Sequence, residues 1–101
     1  MYLKTLICLM LAMSANFSQA DAGLAKSKNC YACHAVDKTV MGPAFKDVAA
    51  KYAGNKEAAS LLAGKIRNGG EGVWGSIPMP PNAQVSDTQA LKLASWILAT
   101  K

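Results

Sequence analysis

Apolar positions along the chain recur with helical spacing, and no stretch alternates in the manner of a strand. In GPAFKDVAAKYAG, the residues Phe45, Val48, Ala49 and Tyr52 fall at i, i+3, i+4 and i+7, which predicts a helix from Pro43 to a stop at Gly54. A further helix is expected from Asn55, read as its N-cap, through Ala58, Leu61, Leu62 and Ile66 to Asn68, ended by Gly69 and Gly70. The last is marked most clearly. Ser86-Asp87-Thr88-Gln89 has the form of a capping box, and Ala90, Leu93, Ala94 and Ile97 share a face with Trp96 and Leu98 beside it, so a helix should run to the C-terminus. Near the other end, Ala22 to Asn29 has room for one or two turns.

Two segments break the periodic pattern. The first, MYLKTLICLMLAMSANFSQA, has one cation, Lys4, then an apolar run, then small residues at Ser18 and Ala20, the three-part layout of a secretory signal peptide. Its apolar run is about half the roughly 20 residues of a spanning helix, so export with removal is expected rather than anchoring, with cleavage after Ala20 or at the similar site after Ala22. The division is then 1–20 as a removed leader and 21–101 as a single domain, with no stable membrane insertion. The second segment, Gly69 to Val85, holds four glycines and three prolines. Ordered domains seldom keep so long a loop unless it has work to do.

Composition narrows the chemistry. Loss of the leader removes Cys8, Met1, Met10 and Met13, leaving Cys30, Cys33, Met41 and Met79, so no disulfide framework can brace this small domain. The formal net charge is +5 for the whole chain, without a run of like charges or a basic and aromatic cluster, which argues against nucleic acid as a partner.

The remaining cysteines stand in CYACH, with the chain's one histidine, His34, directly after them. On a helical turn Cys30, Cys33 and His34 share a face. Two thiols can then add to the vinyl groups of a tetrapyrrole as the imidazole takes its iron, which is why C-x-x-C-H reads as c-type haem attachment. Structural zinc wants a fourth ligand that the chain does not offer, and a dithiol redox motif wants a βαβ setting. A disulfide over three residues would leave the histidine unexplained.

For the sixth position on the iron the candidates are Met41, Met79, a lysine or nothing. Met41, close after His34, reads as a core filler. Met79 lies in PMPP within the long loop, where prolines can stiffen the backbone without a hydrogen-bond ladder, so it is the favoured ligand. Trp74 could donate to a haem propionate and Asn82 to the methionine sulfur, although packing or turn chemistry would also account for them.

With CYACH, GPAFKDVAAKYAG, IRNGGEGVWG and PMPPNAQVSD in this order, the chain after the leader resembles the small monohaem class I cytochromes c, specifically the cytochrome c-551 family. The resemblance implies an all-α class I cytochrome c fold, with four to five helices wrapped around one haem c bound through two thioethers. It implies Cys30 and Cys33 as the thioether residues and His34 and Met79 as axial ligands. It further implies Pro43 as the acceptor of the other His34 ring N–H, Trp74 with Lys65 near a propionate, and Asn82 at the Met79 sulfur. Function would be that of a monomeric, periplasmic one-electron carrier, not an enzyme. Its partners would be transient redox proteins such as a nitrite reductase or a terminal oxidase, met through lysines, of which Lys26, Lys28, Lys38 and Lys46 lie nearest the attachment site in sequence. The alternative is a haem enzyme or gas sensor with a displaceable sixth ligand, although no second histidine is present to act as a distal base. Ala25 departs from the bulky aromatic that relatives commonly carry beside Leu24, which would loosen the packing of the first helix on the last.

Overall fold

The computed structural model describes residues 17–101, with side chains from residue 21. The leader expected over residues 1–20 therefore lies largely outside the described residues. The order of elements is α1 (Phe17–Ser27), a 3-10 turn (Cys30–Ala32), α2 (Phe45–Lys51), α3 (Ala58–Asn68) and α4 (Asp87–Leu98). Among the described residues there is no strand, only an isolated bridge between Gly70 and Met79. The all-α expectation holds.

α4 is the hub. It packs against α1, α2 and α3, and its buried face is Ala90, Leu93, Ala94 and Ile97, as the periodicity predicts. Its start is fixed by the expected capping box: Gln89 N donates to Ser86 Oγ at 3.1 Å, and Ser86 N donates to Gln89 Oε1 at 3.0 Å. Two helix N-terminal donors that water would otherwise have to serve are thereby satisfied.

The other helices differ from the sequence reading in instructive ways. α2 starts at Phe45, not Pro43, and ends at Lys51, with Tyr52 as its C-cap and a turn to Gly54 (φ 79°). Gly42 to Ala44 are needed elsewhere, as described below. α3 starts at Ala58 with Glu57 as N-cap; Asn55 instead accepts from Glu57 N at 2.9 Å, capping the turn before the helix. The buried stripe of α3 is Ala58, Leu62, Ala63 and Ile66, while Leu61 stays 46% exposed. α1 reaches back to Phe17, farther than the short segment expected.

Ala25 is fully buried in the same cluster as Phe45, Leu93 and Ala94, and it also borders the cavity described below. In that core Phe45, 2% exposed, meets the Trp96 ring edge-on at a centroid distance of 5.4 Å. Leu93 is 1% exposed. Leu93→Ala should lower unfolding stability by about 2–5 kcal/mol, against roughly 1 kcal/mol for Ser86→Ala at the cap, as read from denaturant midpoints of the two variants.

Candidate functional site

Asn29 takes a left-handed conformation (φ 63°), which asparagine tolerates better than most residues, and this turns the chain out of α1 into CYACH. Cys33 N and His34 N both donate to Cys30 O, at 3.2 and 3.0 Å. The motif is thus a tight helical turn, of 3-10 type over Cys30–Ala32, and Cys30, Cys33 and His34 line one cavity. Both thiols are free and half-buried. Burial pushes the Cys30 thiol above its ordinary value of 9.0, with a backbone hydrogen bond pulling more weakly the other way.

The His34 ring is held by three contacts. Its Nδ1 lies 2.8 Å from Pro43 O. A carbonyl can only accept, so Nδ1 carries a proton, and in the neutral ring Nε2 is the nitrogen with the lone pair. Phe45 stacks on the ring at 5.1 Å and 24°. Gly42 presses so near that a Cβ there would collide with His34 Cε1 and lie 2.8 Å from Nδ1. These contacts explain why α2 starts late: Gly42-Pro43-Ala44 stays non-helical to present a carbonyl and a bare Cα to the imidazole. Gly42 is a residue the sequence reading missed, because the close approach arises only once the ring is in place.

The cavity has a volume of about 490 Å³ and is walled mainly by apolar groups from the core, from the 39–43 segment and from loop 70–80. Met79, Trp74 and Lys65 all border it. Met79 is half-buried and packs against the core cluster. Its backbone is held by a pair of bonds: Met79 N donates to Gly70 O at 2.8 Å and Gly70 N to Met79 O at 3.1 Å. The expectation of a loop without a hydrogen-bond ladder is corrected here. Prolines 78 and 80 flank a residue that both donates and accepts across the loop. Gly69 (φ 78°) makes the crossing possible, since a Cβ there would sit 2.5 Å from Met79 O.

Trp74 is 45% exposed, and its ring lies 5.3 Å from Lys51 Nζ. The Lys65 amine sits above Gly70, within 3.8 Å of where a Cβ would be. Asn82 Nδ2 donates to Ile66 O at 2.9 Å and, more weakly, to Pro80 O at 3.4 Å, so its amide fastens the loop to α3. Met41 is not a core filler: it is 57% exposed and borders the cavity from the histidine side of the chain. Among the described residues, no three His, Cys, Asp or Glu side chains converge to hold a bare metal ion.

Comparison with known proteins assigns the family. The family profile described as Cytochrome c matches residues 20–101. The chain belongs to the cytochrome c family. It is 61% identical over 87 residues to cytochrome c-552 of Nitrosomonas europaea, an alignment covering 86% of this chain and 84% of that one. It is 59% identical over 78 residues to cytochrome c-551 of Pseudomonas aeruginosa, covering 77% and 74%. The crystal structure of wild-type Nitrosomonas europaea cytochrome c552 superposes with a TM-score of 0.78, at 61% identity, over 79% of this chain and 99% of that one.

This cytochrome is a small electron carrier of the class I fold, and its cofactor is one haem c attached through two thioethers. The residues present fit that group. Two free thiols and an imidazole with its outer nitrogen already committed face an apolar space of the size that cofactor sites have. Gly42→Ala should push the imidazole off the Pro43 carbonyl. The expected result is a protein that, once matured, loses the absorption spectrum of a histidine-ligated low-spin haem or is recovered with much less haem; an unchanged spectrum and yield would show that the ring has room to spare.

Proposed function

We propose that this cytochrome is a soluble periplasmic carrier of single electrons, with His34 and Met79 as the axial ligands of its haem. On this reading residues 1–20 direct export and are removed, leaving 21–101 as the working domain. The observation that carries the ligand assignment is the pairing of an oriented imidazole with a bridged methionine on the same cavity: Nδ1 of His34 is bound to Pro43 O, and the Met79 backbone is bound on both sides to Gly70. The imidazole is thus oriented by the Pro43 carbonyl, and the backbone that carries the methionine is fixed across the loop.

When bound, the haem supplies an iron that alternates between ferrous and ferric states, and methionine with histidine raises its reduction potential relative to harder ligand sets. The residues of the chain do the rest. Pro43 fixes the imidazole tautomer and its orientation, which keeps the ring basic toward the metal. The Gly70 bridge fixes the backbone from which the Met79 thioether extends, so the loop has little need to move when the charge on the iron changes. Apolar walls keep water away from the ring. Lys65 and Trp74 border the cavity with an ammonium and an indole N–H, donors suited to the carboxylates of the cofactor.

Partners on this reading are redox proteins such as a nitrite reductase or a terminal oxidase, met in small, short-lived complexes by a monomer. Without the leader and its Lys4 the domain keeps a net charge of +4, which favours acidic docking faces, with association slowing as salt rises. Among the lysines nearest the motif, Lys28 is already engaged, donating to Gln84 O at 3.0 Å, which shifts attention to Lys51 and Lys65 beside the cavity.

Carbon monoxide separates a carrier from a haem enzyme or gas sensor: the reduced protein should bind it slowly and incompletely at neutral pH. Rapid stoichiometric binding would favour the enzyme or sensor. Met79→Ala should make that binding fast and lower the potential by on the order of 0.1 V, a part of the roughly 0.8 V that axial ligands span. An unchanged potential and spectrum would point to Met41 or another ligand.

A further inference from the structure

Loop 69–85 is fastened to α3 at several points. Asn82 N and Nδ2 both donate to Ile66 O, and Arg67 Nε donates to Val85 O at 3.0 Å. The Gly70 and Met79 pair closes its neck. The limb beyond that neck, Glu71 to Pro78, lines the cavity along its length. Internally it has a Gly72 N to Gly75 O bond of 3.1 Å, with Gly72 and Gly75 at φ 87° and 122°. Among the hydrogen bonds, ion pairs and cation–π contacts of the described residues, a single one joins this limb to α2: Lys51 Nζ stands 5.3 Å from the centroid of the Trp74 ring. An ammonium within about 6 Å of an indole face is attracted by the ring quadrupole.

We propose that Lys51 is a positioning residue, latching Trp74 and the limb that bears it onto the end of α2 so that the cavity stays closed to external ligands. The proposal rests on the reading that Met79 fills the sixth position, because a closed limb is also what keeps that residue at its post. Lys51 has two other possible uses. It lies in the last turn of α2, where a cation complements the helix dipole, and a cation near the cavity could act directly on the cofactor carboxylates. Neither use passes through the Trp74 ring, so the coupling between the two residues is the distinguishing quantity.

The test is an imidazole titration of the ferric holoprotein, followed by absorbance. Lys51→Gln should tighten imidazole binding roughly twofold to fivefold, the factor that a half-exposed cation–π contact corresponds to. Lys51→Arg, which keeps a cation for the ring, should match the unsubstituted protein. In a Trp74→Leu background, Lys51→Gln should add nothing. Lys56→Gln, which removes an exposed lysine away from the cavity, serves as the control for charge and should leave the affinity unchanged. No tightening in Lys51→Gln, equal tightening in Lys56→Gln, or full tightening that persists without the Trp74 indole would each overturn the latch. Should Trp74→Leu not assemble with haem, the comparison of Lys51→Gln with Lys51→Arg and Lys56→Gln decides alone. Met79→Ala is titrated alongside: an unchanged affinity there would remove Met79 as the ligand, while the Lys51 comparisons still report on the limb that covers the cavity.

Discussion

With Nδ1 of His34 donating to the Pro43 carbonyl at 2.8 Å, the ring has one nitrogen to offer and one direction in which to offer it. The rest of the structure follows from holding that direction. Gly42 has no side chain because the imidazole occupies the space of one. Pro43 and Ala44 stay extended, delaying α2 to Phe45. Phe45 then stacks on the imidazole and meets Trp96 of α4 edge-on, so the ring is tied through two aromatic contacts to the helix on which the other three pack. A displacement of the imidazole would have to move the core with it.

The second organising feature is the cavity itself. An apolar space of about 490 Å³ is large for a domain of this length, whose core is a single cluster of mostly small and medium side chains. Val40, Met41, Val73, Trp74 and Ile77 are each about half exposed or more, and all of them border that space. They form a lining, against which a bound haem c would pack. Cofactor and core are therefore one structure, and burial of the lining is part of the stabilisation of the fold.

Much of this was legible in the sequence, for reasons that can be named residue by residue. The periodicity of α4 and its capping box are local signals, and local interactions realise them. C-x-x-C-H is also local, since the turn that brings Cys30, Cys33 and His34 to one cavity spans five residues. What the sequence did not show depends on contacts between distant parts. Helix propensity places Pro43 inside α2, and the demand of His34 for its carbonyl overrides it. Leu61 fits the apolar stripe of α3 by spacing, yet lies on the side that no element covers. Prolines around Met79 suggest a loop without a hydrogen-bond ladder, but the Gly70 bridge depends on the φ of Gly69, which only the folded loop reveals. The bond from the Asn82 amide to Ile66 O joins residues sixteen apart, so the fastening of the loop to α3 also appears only in the folded chain.

The claim on which all of this stands is that one tetrapyrrole fills the cavity and is bonded to the chain at Cys30 and Cys33. The direct measurement is acid–acetone extraction of the purified, matured protein, followed by mass mapping of its peptides. The account predicts colour that stays with the polypeptide and a single haem mass on the peptide that contains Tyr31 and His34, lost when both cysteines are replaced by alanine. Colour that passes into the solvent, or an unmodified peptide with two free thiols, would contradict it.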